Sequence, residues 1–397
     1  MAGTRIHETM APKPMAGHES LLLLPFRDMG LIDVRRFWVT TRVGGSGELV
    51  VSDVGLAEES EWDVNLAQVV EVNALCVPAS RPLTYQVMDN ELRLLASFLL
   101  DKPGAPISVR HQEFRASAGH VKRFVTESFG LGMLTAAVER HYRWRLRDSD
   151  LANFDVLPGK YKDEYPASGV RPDLLFDFTS QGHKKRLAGE ARGRSERRPK
   201  KRDRDQQERL DQIVTWSGRN DFHPVTMTWA YSGAEKMQVD FFDIQDPEDM
   251  YEASADDQRK LDVLTASPAP RDLTVRFLRQ RALGRTAAIA NELYETAPQP
   301  VPERARQVFG RNVRGEWTTA DLVAPSNLRL FLGVLDQELD QRQVGASRRA
   351  HSASYQAWDA DPIQIAVAQR ILVVVARDSA QEPDWSEVTR RIEQPGQ

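Results

Sequence analysis

Cysteine is almost absent from this chain, which contains only Cys76 among its 397 residues. A lone cysteine forms no intrachain disulfide and no cysteine-based zinc site, so we expect a reducing compartment, the cytoplasm. Long apolar runs are missing as well, because none approaches the roughly 18 residues that a membrane-spanning helix needs. The first residues also lack the pattern of a signal peptide. The sequence therefore predicts a globular cytoplasmic protein with no membrane partner.

Several familiar catalytic patterns are missing too. The eight histidines are scattered without the paired spacing of a metal site, and no nucleophile-elbow motif occurs. A glycine-rich loop, Gly44–Gly47, lies between β-type runs at 37–42 and 48–54 and predicts a hairpin. Neither a helix pattern nor a Lys-Ser/Thr pair follows this loop, as nucleotide binding would require. Serine hydrolase and nucleotide-loop chemistry thus receive little support.

Charge is unevenly distributed along the chain. The totals of 53 basic and 57 acidic residues give a net charge of −4, which by itself argues against a general nucleic-acid binder. Residues 184–204, here called the basic block, nevertheless hold eleven lysines and arginines against three acids. A phosphate backbone is the partner that such a block attracts most strongly, although a solvated loop without a partner is the alternative. The predicted nucleic-acid contacts are Lys184, Lys185, Arg194, Arg197, Arg198, Lys200, Lys201 and Arg202.

Composition and periodicity divide the chain into five stretches. A disordered tail is predicted at 1–20, a β-rich N-terminal domain at 21–116, an α/β core at 117–250 and a linker at 251–272. A mainly helical C-terminal domain is predicted at 273–397, with helices at 274–296, 324–343 and 362–378. In the last of these, the run ILVVVA suits a strand equally well. We expect this domain to contact a protein partner.

The central stretch, residues 171–194, has the pattern of a β-hairpin. An apolar run begins at Leu174, a polar turn surrounds Gly182, and a second strand-like run follows. Asp173 precedes the first strand and Glu190 lies on the second, so the hairpin brings the two carboxylates together at one edge of a sheet. Oxygen ligands of this kind suit a hard divalent cation.

Helices are predicted on both sides of this hairpin. The first spans about 121–144 and carries Glu127 on a largely apolar face. A carboxylate in that position is ion-paired, partly exposed at the edge of the apolar face, or a ligand. Gly130 and Gly132 in this helix predict close packing by another element. The second helix covers 204–217, and strands are predicted at 225–231 and 238–244. The sum is a compact α/β unit with a mixed sheet.

These residues together resemble the PD-(D/E)XK nuclease superfamily across 119–246. The resemblance rests on Pro172-Asp173, on Gly189-Glu190-Ala191-Arg192, on the acid of the preceding helix and on glutamines in the following one. It implies an α/β (α+β), restriction-endonuclease-like fold in which Asp173, Glu190 and Glu127 bind Mg²⁺ or Mn²⁺ for hydrolysis of DNA. Gln212 and Trp216 are similar to the Gln-x-x-x-Tyr pattern of the RecB-like branch, with Trp in place of Tyr.

Arg192 departs from the family pattern, which has a lysine there to position and activate the attacking water. Arginine holds phosphate with two parallel hydrogen bonds but is a poor general base. One hypothesis is therefore a metal-dependent nuclease of restriction or anti-phage defence, in which Arg192 orients phosphate and water. The other is a nuclease-fold protein that has lost cleavage and binds nucleic acid or scaffolds a partner. A third is that the basic block binds an acidic protein.

Overall fold

The structure is a computed structural model. It describes residues 30–45, 47–75, 84–100, 107–142, 151–154, 170–180, 183–220, 222–233, 236–245, 290–298, 307–308, 311–337, 363–368 and 370–377. The predicted tail at 1–20 and linker at 251–272 lie outside these residues.

A seven-stranded mixed sheet forms the centre of the described structure. Its strand order is β2-β1-β9-β8-β7-β6-β5, with the pairs β1/β9 and β7/β8 parallel and the others antiparallel. The strands are β1 (Leu31–Val43), β2 (Leu49–Asp63), β5 (Leu151–Asn153), β6 (Leu174–Ser180), β7 (His183–Arg194), β8 (Val225–Tyr231) and β9 (Gln238–Gln245), and a separate two-stranded ladder joins β3 (Leu99–Leu100) to β4 (Ser108–Val109). The predicted α/β class and the hairpin between β1 and β2 are confirmed.

Among the described residues, these strands are accompanied by the helices α1 (Leu66–Leu75), α2 (Tyr85–Ser97), α3 (His111–Ala116), α4 (Gly119–Tyr142) and α5 (Arg204–Arg219). Helices α4 and α5 cover opposite faces of the sheet, because neighbouring strand residues point to opposite sides. Leu187 and Phe241 pack in the α4 core, whereas Ala188 and Phe242 pack in clusters with α5. None of the described helices is long and apolar enough to cross a bilayer.

Local sequence explains where α5 begins. The Asp203 side chain accepts a hydrogen bond from the Gln206 N–H at 2.8 Å, and the Gln206 side chain accepts one from the Asp203 N–H at 3.2 Å. This capping box satisfies two backbone donors that a helix N-terminus leaves free. The predicted helix at 204–217 is therefore confirmed.

The two glycines of α4 mark close packing, as their positions predicted. A Cβ atom at Gly132 would lie 2.4 Å from a Val69 side-chain carbon on α1, and one at Gly130 would lie 3.0 Å from the Gly193 nitrogen on β7. Helix α4 therefore packs closely against both α1 and β7.

The N-terminal stretch predicted as a separate domain instead contributes to the central sheet. Strand β1 pairs in parallel with β9, so that Asp33 lies opposite Gln238 and Thr40 opposite Gln245. The same hydrophobic core also contains side chains of α1, α2 and α4. The predicted boundary at 116/117 thus divides a continuous sheet and core, because a strand pattern in the sequence does not identify the strand's distant partner.

The prediction of a mainly helical C-terminal domain is wrong for the described residues. They form a five-stranded antiparallel sheet, β10-β11-β12-β14-β13, together with a short helix at 290–296. The strands are β10 (Gln307–Val308), β11 (Arg311–Thr319), β12 (Leu328–Leu335), β13 (Ile363–Ala368) and β14 (Ile371–Arg377). Leu332 and Val373 face the main core, while Phe331 and Leu372 form a second cluster. Strands buried on both faces are continuously apolar, so their pattern resembles that of a buried helix.

Candidate active site

The β6/β7 hairpin holds the two predicted carboxylates side by side. Leu174 pairs with Gly189, which places Asp173 opposite Glu190. The Asp173 N–H donates to the Gly189 carbonyl at 2.9 Å, and its Oδ2 accepts from the Ala191 N–H at 2.7 Å. Asp173 therefore closes the end of the hairpin with one carboxylate oxygen.

Glu190, on β7, is completely buried. Its Oε1 accepts a hydrogen bond from Arg209 Nε at 2.6 Å and lies 2.7 Å from Arg192 Nε, and Arg209 Nη2 pairs with the same oxygen. Its Oε2 has no hydrogen-bond partner in the described structure. One oxygen of this carboxylate is thus held by two guanidinium groups while the other is unsatisfied.

Burial, together with the nearby Asp173 carboxylate, raises the pKa of Glu190 to about 8. Arg192 and Arg209 act in the opposite direction but do not cancel the effect of burial. A buried carboxylate with these surroundings is stabilised in its charged form by any additional positive charge. The unsatisfied Oε2 is the atom where such a charge has most effect.

Arg209, on α5, is a site residue that the sequence-based predictions did not include. It occupies the same helix face as Gln212, three residues further on, and its Nη1 donates to Gln212 Oε1 at 3.4 Å. Helical spacing from the predicted Gln212 is the signal that could have found it. Gln212 itself lines the same cleft as Arg209.

Trp216, the other predicted supporting residue, belongs to the core of α5. Its ring lies 5.6 Å from that of Phe154 and 5.5 Å from that of His223, measured between centroids, and both pairs are edge-on. The side chain is 4% exposed. Trp216 therefore supports the position of α5 under the site by packing.

Glu127 reaches the site because α4 packs directly on the end of β7. A Cβ atom at Gly193 would lie 1.7 Å from the Thr126 carbonyl oxygen, so only glycine permits this approach. Glu127, which is exposed, and the half-buried Arg192 consequently line one cleft of about 550 Å³. The other charged residues lining it are Lys122, Arg123, Arg194, Glu196, Asp205, Glu208 and Arg209.

The predicted three-carboxylate metal set is not assembled in this arrangement. Among the residues that the structure describes, no group of three or more His, Cys, Asp or Glu side chains is placed to hold a metal ion. Glu127 is exposed on the cleft wall, whereas Glu190 lies buried beneath two guanidinium groups. Asp173 and Glu190 are the pair that the fold brings together.

The basic block divides into two parts in the structure. Arg194 pairs with Asp205 at 3.0 Å and lies 4.7 Å from the ring centroid of Trp229. Arg197, Lys200 and Lys201 are exposed, and Arg202 is half-buried. The side chains of Lys184 and Lys185 lie outside the described residues.

Arg198 turns inward, in contrast to the prediction that it contacts nucleic acid. It lies 3.8 Å from Oδ1 of the buried Asp240, which Arg35 also binds through contacts of 2.8 and 2.7 Å. Gln206 donates to the same aspartate at 2.9 Å, and Arg35 donates to the Lys200 carbonyl at 3.2 Å. Part of the basic block thus anchors the loop after β7, because Asp240 on β9 supplies a buried counter-charge.

Comparisons with known proteins do not assign the chain to a family: no family model, no curated protein and no solved structure matched it.

Proposed function

We propose that the protein is a metal-dependent nuclease that hydrolyses phosphodiester bonds in DNA on a restriction-endonuclease-like core. The observation that carries this proposal is the state of Glu190. It is fully buried opposite Asp173, it is paired with Arg192 and Arg209, which line a charged cleft, and its Oε2 has no partner in the described structure. A buried acid with an unsatisfied oxygen lowers the stability of the fold. Its presence here therefore favours a functional role.

The order of elements around the hairpin supports the proposal. Helix α4 precedes the hairpin, α5 follows it, and β8 then returns parallel to β7. This is the succession of helix, hairpin, helix and strand over which the sequence resembles the PD-(D/E)XK superfamily. The acid of the first helix and a glutamine of the second both line the cleft.

The unsatisfied Oε2 of Glu190 supports the proposal of a hard divalent cation at this carboxylate. Asp173 and Glu190 would hold it through carboxylate oxygens, and Glu127 lines the cleft together with Arg192 and Arg209. The guanidinium contacts converge on Oε1, which leaves Oε2 as the open ligand atom. When bound, Mg²⁺ or Mn²⁺ neutralises phosphate charge and makes a bound water more acidic.

The chain's own groups would position and stabilise the phosphodiester. The Arg192 side chain is 40% exposed, so its guanidinium group can contact a phosphate oxygen while it stays paired with Glu190. Guanidinium groups suit the negative charge that develops on the phosphate during hydrolysis. Arg192 cannot serve as the base. Glu127, an exposed carboxylate in the cleft lining, would be the group that accepts a proton from water.

A second candidate function is nucleic-acid binding or scaffolding on a nuclease fold that no longer cleaves. The specific observation in its favour is that Arg192 and Arg209 both pair with Glu190. These two guanidinium groups supply Glu190 with the positive charge that a metal ion would otherwise supply. The defence role, the protein partner and the acidic-protein alternative remain predictions.

A cleavage assay separates the two candidates. Full-length protein is incubated with plasmid, linear duplex DNA, single-stranded DNA and RNA in Mg²⁺, Mn²⁺ or EDTA. Asp173→Asn and Glu190→Gln keep side-chain shape, and Glu59→Gln removes an exposed carboxylate on β2 as a matched control.

The nuclease proposal predicts metal-dependent DNA cleavage by the wild type and by Glu59→Gln. It predicts a loss of roughly a hundredfold or more in either site variant, because each removes a charged ligand. Undiminished cleavage by both site variants would refute it. Absence of cleavage together with salt-sensitive DNA binding would support the second candidate.

A further inference from the structure

We propose that the nucleic-acid backbone is held mainly by cations of the cleft walls, Lys122 and Arg123 on α4 and Arg209 on α5. These three residues are called the wall cations below. The inference rests on the proposed function for the identity of the ligand, and it adds the residues and the mode by which that ligand is bound.

Lys122 and Arg123 are unpaired cations on the α4 side of the cleft. Neither has an ion-pair partner within the described part of the chain, and Arg123 is exposed. Both lie near the start of a helix whose first turn contains no acid. A positive side chain near the N-terminus of a helix lowers helix stability, because this is the positive end of the helix dipole. The stability of α4 therefore does not explain why positions 122 and 123 carry cations. Binding of an anion in the cleft does explain it.

Arg209 faces them from α5, across the end of β7. Its guanidinium and that of Arg192 both meet a single oxygen of Glu190. Two cations on one carboxylate oxygen leave guanidinium hydrogens available for a second acceptor. A phosphate entering the cleft can share Arg209 and Arg192 with Glu190.

The acids of the cleft limit where phosphate can lie. Glu127, Glu196, Asp205 and Glu208 also line it, and Arg194 is paired with Asp205. The cleft is therefore not uniformly positive. Phosphate contacts are confined to the start of α4 and to the guanidinium groups of Arg192 and Arg209.

The lining residues recognise a backbone and not bases. The one aromatic residue among those described in the cleft lining is Trp229, which is 2% exposed and lies beneath Arg194. Proteins that grip unstacked bases use exposed aromatic rings. Contacts from lysine and arginine to phosphate carry no sequence information. The ligand is thus a nucleic-acid backbone bound without sequence preference through these residues.

The basic block provides the natural comparison. Lys200 and Lys201 are exposed but are not among the residues that line the cleft. Removing both takes away as much charge as removing Lys122 and Arg123. The two double variants therefore separate a local phosphate site from a general effect of net charge.

The experiment measures how binding of a labelled DNA duplex depends on salt. Fluorescence anisotropy is recorded in EDTA, so that cleavage plays no part, for wild type, Lys122→Ala/Arg123→Ala and Lys200→Ala/Lys201→Ala. Each lost phosphate contact lowers the slope of log Kd against log salt by about 0.9, so the α4 variant should lose about 1.8. The variant in the basic block should keep the wild-type slope.

Arg209 is tested together with its partner, to avoid leaving Glu190 unpaired. Arg209→Gln/Glu190→Gln replaces the pair by two neutral amides and should lower the slope by about 0.9, whereas Glu190→Gln alone should not lower it. Thermal melting checks that each variant is folded.

An unchanged slope in the folded α4 variant would overturn the inference, as would a loss confined to the basic-block variant. Because the measurement needs no metal, its outcome is independent of whether the wild type cleaves DNA in Mg²⁺. A failure of cleavage with these slopes intact would remove the nuclease proposal and leave the binding site standing.

Discussion

Replacement of Arg209 by methionine tests the electrostatic arrangement at Glu190. Arg209 is 14% exposed and makes two contacts with the carboxylate, while Arg192 is 40% exposed and makes a weaker, more solvated one. Removing one partner of a buried ion pair costs about 3 to 5 kcal/mol, and the remaining Arg192 places the expected loss near the lower limit, about 3 kcal/mol.

This loss should depend on pH in a defined direction. Because burial raises the pKa of Glu190 to about 8, the ionised form is disfavoured in the folded protein, and stability falls as the pH rises through that value. Removing Arg209 withdraws an opposing charge and raises the pKa further. We expect a loss of about 3 kcal/mol at about pH 9, where the wild-type carboxylate is ionised, and about 1 kcal/mol at about pH 6, where it is neutral.

Urea unfolding followed by tryptophan fluorescence measures these free energies. The variants are Arg209→Met, Glu190→Gln and the double variant, each compared with wild type near both pH values. The double-mutant cycle should give a coupling of about 2 kcal/mol at the higher pH and a smaller one at the lower pH. Equal losses at the two pH values, or additive effects of the two substitutions, would refute the reasoning.

Three further predictions concern the supports of the site and the packing of the sheets. Asp203→Ala should cost about 1 kcal/mol in urea unfolding because it removes the cap of α5, and no loss would contradict the capping role. Gly193→Ala should cost about 3 kcal/mol or prevent folding, since the added Cβ would lie 1.7 Å from the Thr126 carbonyl oxygen, and a stable variant would contradict the close approach. Burial raises the pKa of Asp89 to about 6, against the effect of Arg93, so its contribution to stability is lost as pH rises through about 6. Asp89→Asn should therefore be more stable than wild type by about 1 kcal/mol at about pH 8, after allowance for solvent screening, and equal to it near pH 4; the opposite order would be inconsistent with this mechanism.

The hairpin and its flanking helices could be predicted because their signals are local. The apolar run after Asp173, the turn and the second run specify a β-hairpin within about two dozen residues, and the register follows from that geometry. Helix α5 has both a cap and an apolar face in its own sequence. The closeness of Asp173 and Glu190 was therefore readable without knowledge of the rest of the chain.

The rest of the site depends on contacts between distant segments. Arg35 and Asp240 meet only because β1 pairs with β9, about two hundred positions along the chain, and no local pattern indicates that pairing. The inward turn of Arg198 depends on the same aspartate. Charge density alone therefore could not separate the anchoring residues of the basic block from its exposed ones.

The C-terminal sheet was mispredicted for a different reason. Strands such as β12 and β14 are apolar at nearly every position because both of their faces are buried. Periodicity distinguishes a helix from a strand only when one face is polar. One face packs against α1 and α2 and the other forms a cluster of the sheet's own side chains, and the sequence of the strands reveals neither arrangement.

The most direct test of the central claim is a crystal of the full-length protein soaked in Mn²⁺, measured at a wavelength where manganese scatters anomalously. The account predicts an anomalous peak at coordination distance from Glu190 Oε2 and from Asp173, and its loss in Glu190→Gln. A site without a peak, in which Arg192 and Arg209 still hold Glu190, would contradict the account.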